Sequence, residues 1–290
     1  MVHKRAVLIA GPTASGKSAL ALKTAREIGG IIVNTDALQV YDGLRLVTAR
    51  PSEADVALAT HRLYGVVPVE RRFSTGDWAR AAAAVTAEAD GAPLIFVGGT
   101  GLYFETLTKG FADVPEVSGD AVAWAEAEVH GLDREARIKL IAERDPAMAV
   151  RLKGTDPQRV IRALSVLKAT GRSLASYQDK AQKPLLAGWG IERMVLNPDR
   201  DVLKARIATR FEAMLELGAA DEVATLLARK LDPALPIMKA IGVREIGDWL
   251  ARNSNREDMV ERAVIATRQY AKRQRTWFRN RMSDWHWVET

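Results

Sequence analysis

An α/β fold, a parallel sheet flanked by helices and interrupted by a helical insertion, is predicted by three features of this 290-residue sequence. Short apolar runs alternate with helical patterns over the first third of the chain. The first of those runs leads directly into GPTASGKS, which fits the phosphate-loop pattern G-x-x-x-x-G-K-[ST]. The strand signal then fades from about residue 111 to residue 190 and returns afterwards.

Taken in order, AVLIA gives a first strand, and SALALKTAREI gives a helix closed by Gly29 and Gly30. GIIVNTD is a second strand running out at Asp36. DWARAAAAVTAEAD is a further helix with Asp77 as its start, and Gly91 and Pro93 separate it from the strand PLIFVGG. DAVAWAEAEV, DREARIKLIAER and DPQRVIRALSVLKAT carry apolar positions at helical spacing and form the insertion. RMVLN returns to the sheet, a new helix follows Pro198, and the last third is helical and rich in arginine. The expected organisation is 1–110 as the first part of a P-loop NTPase-like core, 111–190 as the insertion, and 191–290 as core completion with basic C-terminal helices.

The phosphate loop comprises Gly11, Pro12, Thr13, Ala14, Ser15, Gly16, Lys17 and Ser18. Gly11 and Gly16 are expected to adopt backbone conformations closed to other residues, so that successive N–H groups face one anion at a helix start. Lys17 adds a point charge, and the Ser18 hydroxyl suits Mg²⁺. A nucleotide hydrolase usually supplies a second strand ending in an acid, yet PLIFVGGTG ends in Gly-Gly-Thr-Gly, so ATP is not the automatic ligand. Ligands of open α/β sheets bind beyond the carboxyl ends of the strands, where the loop, Asp36 and the turn Gly98 to Thr100 should converge. There Asp36 is either a turn former or a general base, and Thr100 either part of a tight turn or a donor to a phosphate oxygen.

Composition is ordinary for a folded protein, with 48% hydrophobic and 27% charged residues. Zero cysteines exclude disulfides, thiolate ligands and a cysteine nucleophile, and suit a reducing compartment. The apolar run after the positive start is too short for a signal peptide, and no stretch approaches a membrane span, so a cytoplasmic location without membrane contact is expected. A net charge of +6 suits either a polyanionic partner or a merely basic surface. Arg268, Lys272, Arg275 and Arg279 recur at helical spacing as one basic stripe, and Gln158 and Arg162 share a helix face beside Arg159, with Val160, Ala163, Leu164 and Leu167 on the other side. Tyr270, Trp277, Trp285 and Trp287 either stack on bases or fill the core.

With these residues assembled, the chain resembles the bacterial tRNA dimethylallyltransferases, which prenylate the adenosine beside the anticodon. The resemblance spans nearly the whole chain through GPTASGKS, NTDALQVYDGLRLVTARP, FSTGDWARAA, FVGGTGLYFETLTKG, DPQRVIRALSV, AIGVREI and ATRQYAKRQRTWFR, in that order. It implies a P-loop core with an insertion that grips the anticodon stem-loop of tRNA, a dimethylallyl diphosphate donor, Mg²⁺ as cofactor and a monomeric protein. By resemblance, Lys17 and Ser18 hold the diphosphate and its metal, Asp36 is the general base, Thr100 contacts the reacting groups and Arg244 is a second cation on the diphosphate. Asp36, Ala37, Leu38, Gln39 and Thr100 would line the tRNA site, as would Gln158, Arg159, Val160, Ile161 and Arg162. The stripe residues Arg268, Lys272 and Arg275 would join them. The sequence departs from the family pattern at Ala37, where a serine is expected, and at Asp42, Val47 and Val243, where a basic residue, a glycine and a tyrosine are usual. Three other readings stay open on the residues alone: a P-loop kinase of a small metabolite or nucleotide, a prenyltransferase of free adenine nucleotides, and a non-catalytic RNA-binding module.

Overall fold

The computed structural model describes residues 4–112, 114–152, 156–180 and 183–290. It divides into two compact units: Met1–Thr108 with Leu185–Thr290, and Lys109–Pro184. The first unit opens with β1 (Arg5–Ala10), α1 (Lys17–Ile28), β2 (Ile31–Asn34), α2 (Glu53–Leu58), β3 (His61–Arg62), α3 (Thr75–Glu88), β4 (Leu94–Gly98) and α4 (Gly101–Thr108). The second unit holds α5 (Gly119–Val129), α6 (Arg134–Arg144), α7 (Pro146–Leu152), α8 (Pro157–Thr170) and α9 (Leu174–Gln178). The chain then returns as β5 (Gly190–Leu196), α10 (Arg200–Glu216), α11 (Ala219–Ala228), a 3₁₀ turn (Pro236–Lys239), α12 (Val243–Leu250), α13 (Arg256–Arg281) and β6 (His286–Val288).

The sheet is six-stranded and parallel throughout, in the order β3-β2-β4-β1-β5-β6. Its central strands are apolar on both faces, as a sheet covered on two sides requires: Ala6, Leu8 and Ala10 feed the larger core, while Val7 and Ile9 pack with Ala21 and Ala25 of α1. Register brings the strand ends level, with Ala10 opposite Gly98 and Asn34 opposite Val97. The loops leaving β1, β2 and β4 therefore start side by side, which is the convergence expected from sequence.

Several local expectations change. The helix read as starting at Asp77 starts at Thr75; Ser74 is its cap, and Asp77 closes a capping box by accepting the Ser74 N–H at 2.8 Å. The first unit resumes at Leu185 rather than near residue 191, because Leu186 is buried in the main core and its N–H bonds the Leu107 carbonyl at 3.1 Å. The two edge strands β3 and β6 have no counterpart in the sequence reading, since two or three residues are too few to show alternation. Two of the aromatic residues follow the core reading. Trp285 fills the core edge-on to Phe104, with ring centroids 5.5 Å apart, and the Trp287 indole donates to the Met282 carbonyl at 3.0 Å.

In the second unit, α8 has the ends read from sequence. The Asp156 side chain accepts from the Gln158 N–H at 2.9 Å, Pro157 opens the helix and Gly171 closes it in the left-handed region, with φ 66°. Val160, Ala163 and Leu164 are buried in that unit's own core, and Gln158, Arg159 and Arg162 are exposed.

One interaction fixes the segment after β2. The Glu222 carboxylate on α11 accepts the successive N–H groups of Arg45, Leu46 and Val47, the last two at 2.9 Å. Three converging donors on one carboxylate form a fixed cradle, and removing the acceptor strands them in a partly buried place. Glu222→Ala is expected to lower the unfolding free energy by about 2 kcal/mol, read as a lower urea midpoint at unchanged slope. An unchanged midpoint would show that water replaces the carboxylate without loss.

Candidate active site

The phosphate loop leaves β1 and ends at Gly16, the cap of α1, with φ 88°. Its second left-handed residue is Ala14, with φ 63°, rather than Gly11. Gly11 serves close packing instead: a Cβ there would lie 2.7 Å from Ser15 Oγ and 3.3 Å from the Leu196 carbonyl, so the Ser15 hydroxyl would have to turn away. Ser15 N–H donates to the Pro12 carbonyl at 3.2 Å, and Lys17 Nζ donates to the same carbonyl at 3.2 Å.

Asp36 is placed by a buried hydrogen-bond relay. The Trp78 indole, stacked on Tyr103 with ring centroids 4.3 Å apart, donates to the Asn34 carbonyl at 2.9 Å. The buried Asn34 side chain donates to the Asp36 and Leu63 carbonyls at 3.0 Å and accepts the Asp36 N–H at 2.9 Å. Asp36 Oδ1 accepts the Leu38 N–H at 3.0 Å; among the described residues its Oδ2 has no hydrogen-bond partner. Thr100 reaches across from the β4 turn: its N–H donates to the Thr35 carbonyl at 3.1 Å, and its hydroxyl oxygen accepts the Ala37 N–H at 3.0 Å.

The glycines of the β4 turn serve the protein's own packing. A Cβ on Gly98 would sit 2.2 Å from the Thr35 carbonyl, so only glycine lets the turn lie against the Asp36 segment. The sequence reading missed Gln274 of α13, which is buried, accepts the Thr13 N–H at 2.9 Å and donates to the Gly99 carbonyl at 3.0 Å. That one amide joins the phosphate loop to the β4 turn. Its signal lay in the spacing of Thr267, Tyr270, Gln274 and Trp277, a second face of the helix whose basic stripe drew the attention.

A cavity of about 300 Å³ opens beside these loops. Thr13, Lys17, Ser18, Asp36 and Arg210 form its polar end; Leu38, Val47, Ile207, Phe211 and Met214 form apolar walls; Gln39, Tyr270 and Arg273 also line it. Burial lowers the Lys17 ammonium to about 8, against the opposing pull of Asp36, with Arg210 lowering it further. Burial likewise lowers Arg210, and Asp36 raises it. Burial pushes Tyr270 up, and the Asp36 charge adds to that rise. A cationic pole with one carboxylate beside an apolar wall can hold a phosphate group, stabilise a leaving anion and accept a proton.

Not every expected residue is here. Arg244 is exposed and does not line the cavity, because Val243 and Ile246 bury the inner face of α12 and one residue's step turns Arg244 away from it. The cations that do line it besides Lys17 are Arg210 of α10, whose guanidinium donates to Thr13 Oγ1, together with Lys239 and Arg273. The Val160 side chain is fully buried and cannot touch RNA, and Ile161 is half-covered by the same core, which leaves Gln158, Arg159 and Arg162 as the exposed residues of that segment. Arg159 lies 3.7 Å from Asp156. Of the departures, Ala37 and Val47 pack against the main core, and Val243 is buried in it.

Arg268, Lys272, Arg275 and Arg279 do form one stripe, and Arg200 and Lys204 of α10 face it across a groove of about 690 Å³. Burial and the neighbouring Arg279 and Arg200 charges lower Arg275, so the cations repel one another there. Among the described residues no three histidines or acids cluster as a metal site, and no helix is long and apolar enough to cross a membrane. The Ser18 hydroxyl lines the cavity without a hydrogen bond to the described residues. This fits Mg²⁺, which takes few protein ligands and draws the rest from substrate phosphates and water.

The lowered Lys17 predicts how anion binding varies with pH. Below about 8 the free protein already holds the proton, and binding draws none. Above it, binding pyrophosphate must restore the proton, so affinity should fall by up to tenfold per pH unit between pH 8 and 9. Calorimetric titration of inorganic pyrophosphate should show this fall in the wild type and a weak, flatter profile in Lys17→Met; equal profiles would contradict the assignment.

Three comparisons bear on this site. The family model described as IPP transferase matches residues 39–281. A tRNA dimethylallyltransferase of Rhodopseudomonas palustris is 50% identical over 286 residues, covering 98% of this chain and 90% of the relative. Another from a Chelativorans species is 49% identical over 288 residues, covering 97% and 98%. Among solved structures, a tRNA isopentenylpyrophosphate transferase of Bacillus halodurans aligns with TM-score 0.68 and 30% identity over 99% of this chain and 90% of that one. A eukaryotic dimethylallyltransferase acting on tRNA aligns with TM-score 0.82 and 25% identity over 99% and 74%. With the family model running from Gln39 to the end of α13 and curated relatives aligned over nearly the whole chain, this chain belongs to the tRNA dimethylallyltransferase family.

Proposed function

We propose that this chain transfers a dimethylallyl group from dimethylallyl diphosphate to the exocyclic amine of the adenosine on the 3′ side of the anticodon in tRNA. The observation that carries the reading is the joining of a cationic pole, a carboxylate and an apolar wall in one cavity. A kinase of a polar metabolite would not need the third, and an RNA-binding module would need the cations but not a carboxylate beside a phosphate loop.

The phosphate-loop N–H groups, Lys17 and Arg210 hold the diphosphate. The amine nitrogen attacks the allylic carbon; the C–N bond forms as the C–O bond to diphosphate breaks. Asp36 Oδ2, the oxygen without a hydrogen-bond partner, takes the amine proton. The leaving diphosphate stays against Lys17 and Arg210, whose attraction for it is strengthened by the low-dielectric surroundings. Ser18 would hold Mg²⁺ on the same diphosphate, and that ion supplies further neutralising charge when bound. Thr100 holds the Asp36 segment through Ala37, and its own hydroxyl proton remains available to the reacting groups. An exocyclic amine is a weak nucleophile, so positioning and leaving-group stabilisation carry much of the rate.

The adenosine must leave the base stack to reach an enclosed cavity, and an anticodon loop supplies an already weakly stacked base. Ala37, Leu38 and Gln39 would receive it beside Asp36. Gln158, Arg159 and Arg162 on the second unit, and Arg268, Lys272 and Arg275 along the basic groove, would meet the sugar-phosphate backbone. A cytoplasmic, monomeric protein fits this role.

Labelled dimethylallyl diphosphate, Mg²⁺ and bulk tRNA test the reading. Label is expected in tRNA, and none in AMP or from labelled ATP. Asp36→Asn should lower single-turnover transfer by at least about 10²-fold while tRNA affinity changes less than about threefold. Normal transfer by that variant would remove Asp36 as the base.

A further inference from the structure

We propose that Val47 sets the length of hydrocarbon chain that the donor can carry, an inference that rests on the reading of the cavity as a prenyl-diphosphate site. Its support is the way the cavity is closed beyond its cationic end. Ile207, Arg210, Phe211 and Met214 of α10 all line the cavity, and as positions i, i+3, i+4 and i+7 they share one face of the helix. Arg210 is tied to the phosphate loop through Thr13, and Met214 lies one turn farther along, roughly 6 Å at 1.5 Å per residue. Past Arg210 the α10 wall of the cavity is therefore short and apolar, formed by Phe211 and Met214.

Val47 closes that space from the other side. A Cβ built on Gly242 would lie 3.2 Å from Val47 Cγ1 and 3.6 Å from the Phe211 ring, so Val47 and Phe211 meet across a bare backbone position. Gly242 has φ +104°, which excludes a side chain that could take over the wall.

The wall is also stiff. The Val47 N–H is held by Glu222 at 2.9 Å, and the carbonyls of Thr48 and Ala49 both accept from the Gln39 side chain at 2.8 Å. A β-branched side chain on a pinned backbone has little rotamer freedom with which to retreat. A longer chain would thus meet the Val47 methyl groups rather than solvent.

The test compares two donors with the full-length protein, Mg²⁺ and tRNA: dimethylallyl diphosphate, and its homologue in which one terminal methyl is extended to ethyl. One methylene in an apolar pocket is worth about 10- to 200-fold in specificity. The wild type should prefer the shorter donor by at least about tenfold in kcat/KM, and Val47→Ala should cut that preference about tenfold. Val47→Ile, which keeps the branched stem, should sharpen the preference and slow even the shorter donor. Transfer by both variants with the wild-type ratio would overturn this inference alone. No transfer of dimethylallyl by the wild type would overturn the donor reading, and this inference with it.

Discussion

The site depends on a carboxylate and two cations sharing one poorly solvated space. Lys17 and Arg210 are both lowered by burial, and Asp36 is the charge that holds them up. Burying two like charges together would be costly, and the carboxylate between them offsets part of that cost. The arrangement leaves net positive charge next to an apolar wall, a place where an incoming diphosphate gains more than it would in water. Under the proposed function, a bound diphosphate would take over the role of counter-ion and leave Asp36 free to accept a proton.

That balance requires three loops to be held at fixed spacing, and the fold supplies the spacing through backbone groups. The strand ends are level by register, Thr100 bonds the Thr35 to Ala37 segment, and Gln274 bridges the phosphate loop to the β4 turn. The Trp78–Asn34 relay fixes Asp36 from below, and Glu222 fixes the following turn from the side. Trp78, Asn34, Gln274 and Glu222 do not themselves line the cavity. The cost of the precision is visible in the glycines: Gly98 is confined to glycine by the carbonyl packed against it.

What could be read from the sequence follows from what is local. The phosphate loop, its strand and its helix are contiguous, and their pattern is set by backbone geometry that only certain residues tolerate. The α8 caps at Asp156 and Gly171 are local in the same way. The choice between Arg210 and Arg244 is not local. It turns on which face of α10 and α12 packs inward: α10 mixes charged and apolar residues around its circumference and does not announce its face, whereas α12 is strongly two-sided, with Val243 and Ile246 inward and Arg244 outward, a pattern the resemblance overrode. Gln274 was hidden for a related reason, since one helix presents a basic stripe to a groove and a polar staple to the cavity. Val160 shows the reverse error, a whole segment assigned to RNA when helical periodicity sends its middle residue inward.

On the proposed function, the cation that joins Lys17 at the diphosphate comes from α10. This assignment is tested most directly by steady-state kinetics of Arg210→Ala and Arg244→Ala with dimethylallyl diphosphate varied at saturating tRNA. Loss of a buried charge that stabilises the leaving group should lower kcat/KM for the donor in Arg210→Ala by about 10²- to 10³-fold, while Arg244→Ala stays within about threefold of wild type. The opposite order, a severe defect at Arg244 with a near-normal Arg210→Ala enzyme, would contradict it.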